Sequence, residues 1–133
     1  MPNALDISVS ALIAQRERMN LIAANLANIH TTRDAAGRPN PYLRQVAVLQ
    51  AVPMGPNGEA GVRLASVAVD PSVRLVHDPN HPDRDPEGNV RMPNIDALTE
   101  TVDALAATRA YEANLTAIDA TKSMAAAALR IIA

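Results

Sequence analysis

The sequence of 133 residues contains no cysteine, no tryptophan and no phenylalanine, and its only aromatic residues are two tyrosines. The absence of cysteine excludes disulfide bonds, thiolate catalysis and metal sites built on sulfur. Alanine accounts for 26 residues of a chain that is 48% apolar. Because aromatic and other large side chains supply most of the area buried in a core, we expect no single dense core.

The chain also lacks a strong charge of either sign and a long apolar run. Twelve basic residues stand against 14 acidic ones, which gives a net charge of −2 and argues against nucleic acid or an anionic membrane as a partner. Asp6, Arg16 and Glu17 interrupt the N-terminal segment, so it does not resemble a cleaved secretory signal. No uncharged run approaches the ~18 residues of a membrane span, so we expect no membrane insertion.

Proline and glycine are confined almost entirely to the middle of the chain. Apart from Pro2, all of them lie between Gly37 and Pro93. Proline breaks helices and glycine weakens them, so this distribution predicts a mainly α protein with a small β-rich middle. The predicted segments are an N-terminal helix in 1–33, a middle region of hairpin and loops in 34–93, and a C-terminal helix in 94–133.

Both terminal segments carry apolar residues at helical spacing. In the first, leucine or methionine recurs every seven residues from Leu5 to Leu26, and in the second, apolar residues recur every three or four from Leu98. Such spacing is typical of helices in coiled coils. Asn94 is the predicted N-cap of the second helix. The predicted helix-packing residues are Leu5, Leu12, Met19, Ile22, Leu26, Ile29, Leu98, Val102, Leu105, Tyr111, Leu115, Ile118, Leu129 and Ile132.

The middle region contains two alternating runs, 42–52 and 62–69, separated by a turn rich in proline and glycine. This order predicts a β-hairpin, and a change of phase in the second run predicts a bulge near Ala65 or Ser66. The stretch from His77 to Pro86 contains three prolines and is predicted to be a loop.

That loop is the one place where metal-ligating side chains gather: His77, Asp78, His81, Asp83 and Asp85. Its prolines prevent the helix that would align the two histidines, and Asn94 occupies the position where a calcium loop needs glutamate. The favoured interpretation is a solvated turn held by Asx hydrogen bonds, with a metal-dependent enzyme as the alternative. Since no catalytic or phosphate-binding motif is present, we predict neither enzymatic activity, nor a cofactor, nor a metal.

Two interpretations of the helices remain open. In the first, they form a hairpin within one chain. In the second, their narrow, alanine-rich faces pack mainly against other subunits, because the middle region has too few large apolar residues to cover both.

The order of residues at both ends resembles the signatures of flagellar rod, hook and hook-associated axial proteins, and the whole chain is most similar to the basal-body proximal rod subunits. The N-terminal similarity runs through 6–12 and 15–33, the C-terminal one through 107–116 and 120–124, and the middle one through 41–44, 70–72 and 78–94. The residues taken as the family signature are Asn25, Ala27, Asn28, Thr31, Ala110, Tyr111, Glu112, Ala113, Asn114, Lys122 and Met124.

The resemblance implies a structural subunit of the bacterial flagellar basal-body rod. It also implies export by the flagellar type III apparatus without a cleaved signal, a place in the periplasmic rod, and coiled-coil packing of terminal helices that transmits torque. The implied partners are copies of the chain, other rod subunits, and membrane-ring or adaptor proteins of the basal body. A soluble coiled-coil adaptor or export-chaperone-like binding protein is the alternative.

Overall fold

The structure is a computed structural model that describes residues 2–55 and 58–132, with the side chains of residues 4–55 and 58–131. Two long helices flank a middle region of short strands, so the predicted fold class is confirmed. In chain order the elements are α1 (Pro2–Ala27), β1 (Gln45–Pro53), β2 (Ala60–Val69), β3 (Val73–His77), β4 (Asn89–Pro93) and α2 (Ala97–Ile132).

Helix α1 ends at Ala27, short of the predicted segment boundary at residue 33. The end is made by polar side chains rather than by glycine or proline. The Asn28 side chain donates to the carbonyl oxygen of Ala24 at 2.9 Å, and the Thr31 hydroxyl donates to the Asn28 side chain at 3.0 Å. Side chains that satisfy backbone groups in this way compete with continuation of a helix.

Helix α2 begins one residue after Asp96, which is its N-cap. Both the backbone N–H and the hydroxyl of Thr99 donate to Asp96 Oδ2, at 3.0 and 2.6 Å. The prediction of Asn94 as the N-cap is therefore wrong. Asn94 instead donates to the Ser72 hydroxyl at 2.8 Å, and Ile95, only 2% exposed, occupies the core before the helix starts.

Strands β1 and β2 form the predicted antiparallel hairpin. Val48 pairs with Ser66 and Leu49 pairs with Leu64, which leaves Ala65 without a partner on β1. The predicted bulge is therefore confirmed and lies at Ala65. Strand β1 starts at Gln45, later than the alternating run that begins at Tyr42.

Strands β3 and β4 form a second antiparallel sheet that the sequence did not predict, with Val73 opposite Pro93 and His77 opposite Asn89. Each strand has only five residues, and in β3 the adjacent apolar residues Leu75 and Val76 break the alternation that would have indicated a strand. The predicted loop lies between β3 and β4 at 78–88, because His77 is the last residue of β3, and Asx hydrogen bonds hold it as predicted. Asp78 accepts from the backbone N–H of Asn80 at 3.1 Å, and Asp85 accepts from that of Asn89 at 2.7 Å.

The two helices pair with each other within the chain and run antiparallel. Arg18 contacts Asp103 at 3.4 Å, and Met19 Sδ lies 3.6 Å from the Thr108 hydroxyl, so the end of α1 meets the start of α2. Helix α1 also packs on β1 and β2. Neither helix is long and apolar enough, over the residues described, to cross a membrane.

The core is small, and the chain exposes much of its surface. In the described part, the buried apolar side chains are Ala14, Ile22, Val90, Pro93, Ile95 and Ala107. The accessible surface is 8666 Å² for a mass of 14.1 kDa. A compact monomer of this mass exposes roughly 6,700 Å². The helix pair therefore leaves surface that a compact fold would have covered.

Candidate assembly surface and polar junction

A buried polar cluster holds the two helices and the first hairpin together. Asn25 of α1, 1% exposed, lies at its centre. The Asn25 Nδ2 donates to the carbonyl oxygen of Gln45 at 2.8 Å and to Glu100 Oε2 at 3.1 Å. The Asn25 Oδ1 accepts from the Gln45 N–H at 2.9 Å. One side chain therefore joins α1, β1 and α2.

An ion pair completes this cluster. Arg44 Nε donates to Glu100 Oε1 at 2.6 Å, and the Glu100 side chain is 1% exposed. Arg44 also lies 3.8 Å from Asp103. We refer to Asn25, Arg44 and Glu100 as the polar junction. A buried carboxylate without partners would be costly, whereas here both Glu100 oxygens accept hydrogen bonds.

Tyr42 lies beside the polar junction, and its hydroxyl is 3.4 Å from Asn25 Oδ1. Burial, followed by the negative charge of Glu100, raises the pKa of the Tyr42 phenol above its usual value. Both influences disfavour the phenolate, so the hydroxyl keeps its proton and can donate to Asn25.

The predicted helix-packing residues fall into two groups. In the N-terminal segment they are buried or half-buried: Leu5, Leu12, Met19, Ile22, Leu26 and Ile29, the last beyond the end of α1. In α2, Tyr111 and Ile118 are half-buried, whereas the exposed ones are Leu98, Val102, Leu105, Leu115 and Leu129. The side chain of Ile132 lies outside the described residues.

The exposure of these α2 residues follows from the rotation of α2 about its own axis, which decides which side of the helix faces α1. Its α1-facing side carries Glu100 and Ala107, both buried, with Asn114 and Ile118 half-buried further along. Leu98, Val102 and Leu105 lie on the opposite side of the helix. We call these three residues the outer apolar row. The predicted residues recur slightly more often than every 3.6 residues, so along α2 they drift from the outer side at Leu98 towards α1 at Ile118.

The family-signature residues lie in the polar junction, in the turn after α1, at half-buried positions of α2 and at exposed positions. Asn25 lies in the polar junction, and Asn28 and Thr31 form the turn after α1. Asn114 Nδ2 donates to the carbonyl oxygen of Ala110 within α2 at 2.7 Å. Tyr111 is half-buried, whereas the exposed members are Ala27, Glu112, Ala113, Lys122 and Met124.

The loop after β3 is fixed to the loop after α1 through Asp83. The carboxylate of Asp83 accepts from Arg33 at 2.6 Å and from the Thr32 hydroxyl at 2.8 Å. The hydrogen bonds from Arg33 and Thr32 hold the pKa of Asp83 below its usual value, and the nearby charges act in the same direction. This contact ties the second sheet to the residues that follow α1.

The histidines of this loop contact other polar groups of the fold. His81 Nδ1 accepts from the backbone N–H of Asp83 at 3.0 Å, and His77 Nδ1 lies 3.3 Å from the Asn89 side chain. Among the residues that the structure describes, no three His, Asp or Glu side chains are grouped to hold a metal ion. The loop residues therefore serve hydrogen bonds within the fold.

Sequence reasoning missed Arg44 and Glu100 as members of the polar junction. Glu100 sits on the α1-facing side of a helix whose visible apolar residues begin on the opposite side. The one available signal was Asn25, a polar residue within an otherwise apolar helical pattern, whose partners cannot be identified without the tertiary structure.

Two family models match the ends of the chain. The model described as "Flagella basal body rod protein" matches residues 5–33, and the model described as "Flagellar basal body rod FlgEFG protein C-terminal" matches residues 87–131. These matches cover α1 with its following turn and nearly all of α2. The class is therefore that of structural subunits of the flagellar basal-body rod, and the interpretation as a metal-dependent enzyme is wrong.

Similar proteins extend the match over the middle region. The chain is 42% identical over 144 residues to the flagellar basal-body rod protein FlgC of Bacillus subtilis (strain 168), covering 97% of the chain and 96% of that protein. The FlgC proteins of Aquifex aeolicus (strain VF5) and Salmonella typhimurium are 42% and 38% identical, each over 92% of the chain and 90% of their own length. The chain belongs to the FlgC family of flagellar basal-body rod proteins.

Proposed function

We propose that the chain is a subunit of the proximal rod and that its terminal helices pack against copies of itself and against other rod subunits. The observation that carries this proposal is the outer apolar row. Leu98, Val102 and Leu105 are 72%, 58% and 52% exposed although they follow one another along a single helix face. A contiguous apolar surface of this kind is typical of a protein–protein contact.

Packing of the outer apolar row against a neighbour would supply burial that the single chain lacks. Each large aliphatic side chain that becomes fully buried contributes about 1.5–3 kcal/mol. Helices that interlock along such rows resist sliding, and this resistance is how the assembled subunits would transmit torque. Membrane-ring or adaptor proteins at the base of the rod are further proposed partners.

The proposed route to the rod is export by the flagellar type III apparatus, followed by assembly in the periplasm. A chain without cysteine forms no disulfide bond in either a reducing or an oxidising compartment, which is compatible with passage between the two. A variant lacking residues 2–34 is expected to stay in the cytoplasm. Its secretion at the level of the full chain would contradict this route.

The packing proposal is tested by Val102→Asp, which places a charge in the middle of the outer apolar row. In a strain whose own rod subunit has been deleted, the variant is expected to be exported but not incorporated into rods, and the cells are expected not to swim. Ser66→Asp adds the same charge to an exposed residue of β2 and is expected to support swimming. Normal swimming with Val102→Asp would overturn the proposal.

A further inference from the structure

We propose that the polar junction selects a single register of α1 on α2 and thereby fixes the position of the first β-hairpin on both helices. This role goes beyond rod assembly, because it concerns a choice between alternative pairings within one chain. Three features carry the proposal: a permissive helix interface, a selective polar cluster, and the attachment of that cluster to β1.

The buried sides of the two helices are permissive because small residues repeat along them. Ala14 and Ala107, at 1% and 0% exposure, are the most deeply buried apolar residues of the two helices. Ala11 lies one turn before Ala14, and Ala104 and Ala110 lie one turn to either side of Ala107. A slip by one turn would therefore place alanine at the Ala107 position in either direction, and at the Ala14 position in one direction.

The polar junction does not tolerate such a slip. One helical turn is ~5.4 Å, whereas the Asn25–Glu100 hydrogen bond is 3.1 Å long. A slip in one direction would place the Glu100 carboxylate opposite Leu21 or Ile22, which offer no side-chain donor. A slip in the other direction would place it near Asn28, whose Nδ2 already donates to the carbonyl oxygen of Ala24 at 2.9 Å. Buried polar groups that find partners in only one arrangement are an established means of fixing register in helix pairs.

The same cluster holds the hairpin. Arg44 directly precedes β1 and contacts Glu100 of α2, while Asn25 of α1 binds both backbone groups of Gln45. A slipped helix pair could not keep both contacts, because the contact with Arg44 is made by α2 and the contact with Gln45 is made by α1. The register of the helices and the position of the hairpin are therefore selected together.

The register can be measured with two spin labels, because a chain without cysteine can be labelled only where cysteine is introduced. Asn20 of α1 and Met124 of α2 are exposed, and a slip by one turn changes their separation along the helix axes by roughly 5 Å. Pulsed electron paramagnetic resonance of the labelled chain is expected to show one narrow distance distribution.

The test variant combines Asn25→Leu, Arg44→Met and Glu100→Leu, which keeps the site filled but removes its polar groups. It is expected to retain its helical circular dichroism and to show a second distance shifted by about one turn. Asn25→Leu alone is expected to give the same second distance at lower amplitude, and it provides the measurement if the triple variant does not fold.

A matched control isolates the role of the polar junction. Arg16→Met with Glu17→Leu removes an exposed ion pair of α1 and is expected to leave the single distance unchanged. A single, unbroadened distance in folded Asn25→Leu, or in the folded triple variant, would overturn the proposal.

Discussion

The side chain of Asn25 binds the backbone of Gln45 in the way that a neighbouring β-strand would. Its amide nitrogen donates to the carbonyl oxygen and its amide oxygen accepts from the N–H, at 2.8 and 2.9 Å. Gln45 is the first residue of β1. The carbonyl oxygen of the residue before it, Arg44, accepts a hydrogen bond from the Asp70 N–H beside β2, so the backbone groups of Gln45 itself face away from β2. The helix therefore covers the start of a strand edge that would otherwise be open.

Asn25→Ala is expected to lower the free energy of unfolding by about 2–3 kcal/mol, because it leaves buried groups of Gln45 and Glu100 without partners. Urea denaturation followed by circular dichroism measures the change. Asn20→Ala, at an exposed site on the same helix, is the matched control and is expected to change stability by less than ~0.5 kcal/mol. Equal effects of the two substitutions would show that the polar junction adds no stability.

Acid is expected to weaken the contact between the two loops through Asp83. Its pKa in the folded chain lies below the usual value of 3.8, so its stabilising contribution is fully present above 3.8 and is lost below it, as the pH falls through the lower pKa of the folded state. Thermal unfolding at a series of pH values from about 6 to about 3 measures the loss. Asp83→Asn is expected to be less stable at pH 6 and to lose less stability on acidification. An unchanged pH dependence in Asp83→Asn would contradict the assignment.

Gly61→Ala is expected to destabilise the packing of β2 on α1 by about 1–3 kcal/mol. A Cβ at this buried glycine would lie 2.8 Å from the Ser10 hydroxyl and would also collide with Met54. Ser10 cannot easily move, because its hydroxyl donates to Ile7 and accepts from the N–H of Val62.

A double-mutant cycle separates the collision from other effects of Gly61→Ala. In a Ser10→Ala background the substitution is expected to cost less than in the unmodified chain, since the nearest oxygen is gone. Chemical denaturation of all four proteins provides the comparison. The same cost in both backgrounds would show that contact with Ser10 is not the cause.

Gln15→Met is expected to raise the free energy of unfolding by about 1 kcal/mol. In the described part of the chain, Gln15 Oε1 is the one buried side-chain oxygen or nitrogen without a hydrogen-bond partner. Methionine has a similar length and removes this unsatisfied acceptor. Gln15→Glu, which places a charge at the same point, is expected to lower stability instead. A loss of stability in Gln15→Met would show that the oxygen has a partner in solution.

Local sequence patterns were sufficient for the parts of the fold that depend on neighbours in the chain. The distribution of proline and glycine located both helices, and the change of phase at Ala65 located the bulge in β2. Local chemistry also explains why the predicted N-cap was wrong. Asn94 and Asp96 are both good capping residues, and only the burial of Ile95 decides between them.

By itself, the amino-acid order determined the two terminal helices, the hairpin between them and the family to which the chain belongs, because helical spacing, turn residues and signature motifs are all local. The tertiary structure decided which side of α2 faces α1, and with it the burial of Glu100 and the exposure of Leu98, Val102 and Leu105. Apolar spacing alone cannot make that choice in an alanine-rich helix. The polar groups that decide which side of α2 faces α1 are Asn25, Arg44 and Glu100, which are far apart in sequence and meet only when the chain folds.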